Sequence, residues 1–274
     1  MKRFLTIPAC LLLALPALAQ DPAPAASTES APKLDPIVAK MIENLPKLAE
    51  MKWEAAHTLN LDGNDGGVTG SINFAFQDKK HFKCNLDLVA TQKVAEGETA
   101  AEPQNIKATL VADGAWLWIS SPMLLESGML PEHVKIELAV FDELLAMMPQ
   151  MMGGMTGGPA GIQGMVTDAT KGMSFKEEGS TEALKRFVFA GEGWNGAMKM
   201  DAATWFPMGL DVSNEEGMKV VLNTTSFNKK ETFAEGTFAL NGVDVSTVMD
   251  LSAMIRMQLG AMGGAAGGDE DLEF

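Results

Sequence analysis

Residues 105–122 read NIKATLVADGAWLWISSP, and their pattern decides what kind of chain this is. Ile106, Ala108, Leu110 and Ala112 alternate with Lys107, Thr109 and Val111. Beyond Asp113-Gly114, Trp116 and Trp118 alternate with Leu117 and Ile119. A period of two is the period of a strand, because successive side chains on extended backbone point to opposite faces. Asp-Gly between two such runs marks a hairpin turn: glycine reaches positive φ at little steric cost, and aspartate tolerates the left-handed region. Clean alternation gives each strand one apolar and one wet face, the habit of antiparallel sheets. The two tryptophans concentrate a large apolar surface on one strand, which either closes a core or lines a site.

Upstream the same period recurs. Val68, Ile72, Phe74 and Phe76 oppose Thr69, Ser71, Asn73 and Gln77; Phe82, Cys84, Leu86 and Leu88 oppose His81, Lys83, Asn85 and Asp87. Residues 78–80 form a short hairpin connection, 53–62 a strand of weaker alternation, and 95–104 a polar loop. Before the strands, Asp35-Pro36 opens an amphipathic helical element over 36–51, with Ile37, Val38, Met41, Leu45 and Leu48 at helical spacing. Pro46 either kinks it or starts a second short helix capped by Asn44. Downstream, a helix is expected over 136–148, with Phe141, Leu144, Leu145 and Met148 on one side. Strands follow at 173–178, 184–190, 197–201, 207–213, 218–228 and 231–240, with turns at 191–196 and 214–217. A last helix is expected over 244–260, with Val245, Val248, Met249, Ile255 and Leu259 as its apolar side. About ten or eleven short strands run as meanders, with no crossover helix between each pair, which argues against a parallel α/β fold.

The first twenty residues read as a secretory leader: Lys2 and Arg3, an apolar run from Leu5 to Leu15, and Ala17-Leu18-Ala19 as a cleavage site. No other stretch is long and apolar enough to span a bilayer. The protein is therefore expected to be exported to a periplasm-like space and soluble there. Residues 21–33 are a Pro/Ala/Ser-rich linker, and 261–274 a glycine-rich acidic tail. Removing the leader takes two of the 21 basic residues and none of the 36 acidic ones, so the charge moves from −15 to −17. That argues against nucleic acid and against an anionic membrane surface as partners, since both select basic patches. Cys84 is the only cysteine beyond the leader, so no intrachain disulfide is expected; it reads as a small buried hydrophobe.

No catalytic constellation assembles. His57, His81 and His133 fall in three elements, with His57 and His81 placed on the wet face of their strands. No pair has the spacing of a zinc site, and there is no P-loop, GxGxxG or GxSxG motif. The reading is a non-enzyme with no cofactor and no metal. The unusual feature is methionine, at 20 residues. Met147, Met148, Met151, Met152, Met155 and Met165 cluster around a glycine-rich stretch over 149–172. They can be core filler, a low-complexity insert, an adaptable apolar lid, or soft thioether ligands for Cu(I).

The order of elements resembles a known family. A helix comes first, then strands leading to Val111-Ala112-Asp113-Gly114-Ala115-Trp116-Leu117-Trp118. A helical segment follows, then a D-x-x-T-x-x-P-x-x-L-x-V strand pair (Asp201, Thr204, Pro207, Leu210, Val212) and F-x-x-G-x-F-x-L (Phe233, Gly236, Phe238, Leu240). This is similar to the outer-membrane lipoprotein carrier LolA and its superfamily over about residues 34–250, and the domain it implies runs over 34–260. The resemblance implies a mainly β fold with α: a curved antiparallel sheet, an incomplete β-barrel, with helices covering its concave face. It also implies a cavity that takes lipid or lipoprotein acyl chains without covalent chemistry, in a monomer that can meet envelope protein partners. The lining it implies is Met41, Leu45, Leu48, Ile72, Phe74, Phe76, Leu86, Trp116, Trp118, Leu144, Met148, Met151 and Met152. The second reading is a non-catalytic envelope interaction or scaffold protein of the same fold with a filled interior. LolA-type carriers hold their lid with an arginine early in the strands; residues 53–77 contain none.

Overall fold

In the computed structural model of the chain the alternating runs join into one twelve-stranded sheet. Residues 35–93, 102–126, 128, 130–151, 170 and 172–264 are described. The expected leader, linker, most of the Met/Gly-rich stretch and the acidic tail beyond 264 lie outside them. The strands are β1 (Lys52–Gly63), β2 (Gly66–Asp78), β3 (His81–Gln92), β4 (Gln104–Asp113), β5 (Trp116–Ser120), β6 (His133–Glu137), β7 (Ser174–Glu177), β8 (Leu184–Gly191), β9 (Trp194–Asp201), β10 (Pro207–Asn214), β11 (Lys219–Lys230) and β12 (Met249–Asp250). The helices are α1 (Pro36–Glu50), α2 (Pro122–Glu126), α3 (Leu138–Met151) and α4 (Ser252–Gly264).

Across the sheet the order is β12-β6-β5-β4-β3-β2-β1-β11-β10-β9-β8-β7. The sheet is curved and unclosed, and antiparallel except where β12 joins β6. Its register keeps like faces together. Trp53 pairs with Phe76 and Ala55 with Phe74; Phe76 pairs with Phe82 and Phe74 with Cys84; Ala112 pairs with Leu117, and Leu117 with Ile136. A slip of one residue would turn each apolar set to the wrong side, so the pattern fixes the pairing.

α1 starts where the sequence places it: Asp35 Oδ1 accepts from the Ile37 N–H at 2.8 Å, with Pro36 at the first helical position. Pro46 removes one intrahelical donor but does not divide the helix, which runs unbroken to Glu50. Its far end is tied to the sheet. Trp53 Nε1 donates to the Leu48 carbonyl at 3.3 Å, one of the carbonyls that a helix end leaves without an intrahelical partner.

Several expectations are corrected. The helix expected from residue 136 starts at Leu138, because Val134 and Ile136 alternate with His133, Lys135 and Glu137 and form β6 against β5. The turn expected over 191–196 is only Glu192-Gly193; both have positive φ, as a two-residue hairpin turn requires, and Trp194 already pairs with Gly191 in β9. Residues 231–240 are not a strand. β11 is already flanked by β1 and β10, so no slot is open beside it. Phe233 and Phe238 pack edge-to-face at 4.9 Å, and Phe238 meets the His81 ring at 6.1 Å. The segment thus crosses the outer face of the sheet and delivers β12 to β6. The last helix is shorter than expected: Val245–Thr247 is a single 3-10 turn, Met249 lies in β12, and α4 begins at Ser252. Leu251 and Leu259 are buried, while Val245 and Met249 are exposed.

Candidate functional site: the helix-covered apolar face

The inner face of the sheet carries apolar side chains from β6 to β7, arranged in linked clusters. The central cluster is aromatic. Trp53 is fully buried, stacked on Phe74 at 5.3 Å and on Phe76 at 5.6 Å, with Phe206 against its edge at 4.9 Å. Leu48 of α1 closes this cluster from above, and Leu86 flanks it. Beside it, Met41 of α1 packs on Phe187 and Met200, with Ile37, Met198 and Trp205 around them. At the other end of the sheet Val134, Ile136, Val140 and Leu251 form a third cluster, flanked by Phe141. The fourth lies on β8–β11: Phe189, Val212 and Val220 are buried, and Leu59, Leu61, Phe175, Met198, Leu210 and Met218 are half-buried around them. Among the described residues, every side chain packed on this fourth cluster comes from a strand or a strand-flanking residue, and none from a helix.

The knot that positions Phe206 explains part of the D-x-x-T-x-x-P pattern. Asp201 Oδ1 accepts from both the N–H and the hydroxyl of Thr204, and Thr204 Oγ1 accepts from Phe206 N–H at 3.2 Å. Trp205 between them sits at φ 59°, an uncommon conformation for a bulky residue, and its ring stacks on Phe187 at 5.7 Å.

His57 is a polar group set into this face, and it corrects the wet-face expectation: it is 1% exposed and stacked on Phe206 at 6.1 Å. Its Nδ1 lies 3.0 Å from Thr224 Oγ1. The Thr224 hydroxyl donates its single hydrogen to the Pro207 carbonyl at 2.8 Å, so it must accept from the imidazole. The proton therefore sits on Nδ1. Nε2 is left as a bare acceptor, buried with no partner among the described residues. Burial lowers the pKa of His57 to about 4, since a charged ring there loses its hydration. Burial also pushes the Cys84 thiol up to about 11, which suits an inert core residue.

The structure brings together Leu48, Ile72, Phe74, Phe76 and Leu86 in the central cluster and sets Met41 in the adjacent one. Leu144 is half-buried on α3. Leu45 lies on α1, and Met148 and Met151 lie on α3, but their side chains are outside the described set; Met152 falls outside it altogether. Trp116 and Trp118 are corrected. They lie on the outer face, where Lys135 Nζ stands 4.2 Å from the Trp116 ring and 5.4 Å from that of Trp118. Trp118 Nε1 donates to Asp113 Oδ2 at 2.7 Å, while Leu117 and Ile119 take the inner face. The sequence reading missed His57, Phe187, Met200 and Phe206. A polar residue in phase with Trp53 and Ala55 was the available signal for the first.

No protein-family model and no curated protein matches the chain. Solved structures similar to it include MucB in complex with MucA(peri), at 9% identity and a TM-score of 0.38, over 75% of this chain and 60% of that one. The chain thus spans about 60% of the MucB chain. A conserved protein from Thermus thermophilus is 8% identical with a TM-score of 0.39, over 78% and 99%. A domain named for outer-membrane lipoprotein sorting, from Vibrio parahaemolyticus, is 9% identical with a TM-score of 0.27, over 74% and 97%. Likenesses this distant carry no function across.

Among the described residues no three His, Cys, Asp or Glu side chains gather as a metal site, and no helix is long and apolar enough to cross a membrane.

Proposed function

We propose that the chain is a periplasmic carrier or binder of a lipid or lipoprotein acyl chain, held without covalent chemistry on the inner face of the sheet. The observation that carries this reading is a mismatch of areas. Eleven strands, from β6 to β7, carry the apolar face, and at about 4.8 Å per strand it is roughly 48 Å broad. α1, with 15 residues, is roughly 22 Å long. It roofs the aromatic cluster and the Met41 cluster, whereas the Phe189–Val212–Val220 cluster keeps a rim of half-buried apolar side chains with no helix on it among the described residues. An acyl chain laid there gains about 0.8 kcal/mol per methylene removed from water. Met173, Met198 and Met218 around that cluster supply thioethers that repack around different chains. α1 then acts as a movable cover whose apolar face gives way to the longer part of the ligand.

Native mass spectrometry of protein purified from its own host, followed by titration with a long-chain fatty acid and a diacyl phospholipid, tests the reading. A lipid-mass adduct, weakened in Leu61→Asp and Phe175→Asp variants that remain folded, is expected. A clean apo mass with no uptake across the titration overturns it.

A further inference from the structure

On the outer face, across the sheet from the proposed acyl site, a row of residues is built around two opposed cations. Arg186 of β8 pairs in register with Lys199 of β9, Lys199 with Gly209 of β10, and Gly209 with Asn223 of β11. Like charges directly opposite each other weaken a sheet. In a chain with 36 acidic residues against 21 basic ones, a neutralising carboxylate is the simple remedy, and here it is withheld. Among the described residues Lys199 has no ion-pair partner, since Asp211, the one carboxylate lining the same hollow, is engaged by Lys219 at 3.7 Å. Arg186 commits one guanidinium N–H to the Glu178 backbone carbonyl at 3.2 Å, while the Glu178 carboxylate turns to Lys176 at 3.6 Å. Among the described residues the remaining guanidinium N–H donors of Arg186 have no partner.

Gly209 is buried although it lies on the outer face. A Cβ placed there would stand 3.6 Å from Asn223 Oδ1 and 3.7 Å from Lys199 Cδ. The two side chains therefore lean over bare backbone from opposite sides. The result is a hollow of about 190 Å³ with Arg186, Lys199 and Asn223 around it and Ala197 and Gly209 in its floor. A guanidinium, an ammonium and an amide over a floor of small residues, beside an Asp211 carboxylate already engaged by Lys219, form a donor set for a tetrahedral oxyanion.

We propose that this hollow binds a phosphate group, either as a soluble phosphate or as the phosphodiester of an anionic lipid headgroup. Neither opposed cation forms an ion pair with a carboxylate among the described residues, since Asp211 at the same hollow is engaged by Lys219, and the ligand neutralises them. The proposal stands apart from the acyl-chain reading, because the sheet separates the two faces.

The test is an amide NMR titration of the full mature chain with inorganic phosphate, balanced by sodium chloride at constant ionic strength. Saturable shifts confined to residues around 186, 197, 199, 209 and 223 are expected. Arg186→Gln and Lys199→Gln should each weaken binding by about tenfold or more, as loss of one charge-assisted hydrogen bond does. Relief of the like-charge pair should raise their urea midpoints, which separates loss of the site from loss of the fold. Flotation with phosphatidylglycerol vesicles, against phosphatidylcholine controls, distinguishes the sources. Lys199-dependent flotation that phosphate competes away assigns the headgroup; phosphate shifts without flotation assign a soluble phosphate. Shifts that persist in the double variant, or no saturable shift together with no Lys199-dependent flotation, overturn the proposal.

Discussion

Replacing His57 by leucine should make the protein more stable in acid. The folded state holds the ring neutral, with a pKa lowered by burial from 6.5 to about 4, while the unfolded chain protonates it normally. The lowered value means that its stability contribution is complete above pH 6.5 and is lost as the pH falls toward 4, because only the unfolded state takes up the proton in that window. The gap is worth about 3 kcal/mol in full, and most of it is gone by about pH 4.5. At pH 7 the substitution removes the hydrogen bond into Thr224 but also removes the unpartnered Nε2. The Thr224 hydroxyl keeps its bond to the Pro207 carbonyl, so the two stabilities should agree within about 1 kcal/mol. Urea unfolding of both proteins at pH 7 and 4.5 measures the difference of differences, in which the other titrating groups cancel. Parallel losses of stability in the two proteins would refute the tautomer and burial reasoning together.

The aromatic cluster should be the costliest place to cut. Trp53→Ala is expected to lose about 3–5 kcal/mol in urea unfolding, because Phe74, Phe76 and Phe206 all pack on that ring. Trp118→Phe keeps the ring but removes the donor to the Asp113 carboxylate; a loss of about 1.5–3 kcal/mol in a thermal or urea melt is expected. Asp35→Ala removes the N-cap of α1 and should cost about 1 kcal/mol, with faster uptake of fatty acid if α1 is the movable cover. Cys84, buried with its thiol pushed up to about 11, should react with a thiol reagent at neutral pH only at the rate of global unfolding. Prompt labelling of the native protein would show that β3 opens locally.

Strands whose two faces differ were legible in the sequence. Through most of β2 and β3 polar residues alternate with apolar ones, and the structure pairs them in the implied register. β5 is different, because Trp116/Trp118 and Leu117/Ile119 are both apolar and local pattern cannot choose between them. The choice is made by neighbours: Leu117 meets Ala112 and Ile136, whereas Trp118 meets Lys135. β6 hid against the helix that follows it. The Phe233–Leu240 run imitates a strand because its phenylalanines pack on each other and on His81 across a turn. His57 was read as polar and therefore wet. What buries it is Thr224, 167 positions away, and Phe206 from a separate turn, and neither leaves a mark near residue 57. The Arg186–Lys199 pair was equally silent, since only the β8–β9 register makes them neighbours.

The strand order has a further consequence for how the chain is made. β1 to β6 and β7 to β11 are two ladders in which each strand pairs with its neighbour in sequence, and the two meet only where β1 joins β11. A chain emerging amino end first completes one ladder long before residues 219–230 exist. At ordinary synthesis speeds the wait is on the order of 5–20 s, during which the free side of β1 offers unpaired backbone beside Trp53, Leu59 and Leu61. Mispairing in that interval, rather than loss of native stability, is where this architecture is most vulnerable. A circular permutant opened between Met151 and Thr170 would synthesise β7 to β11 first and bring the seam together with far less delay.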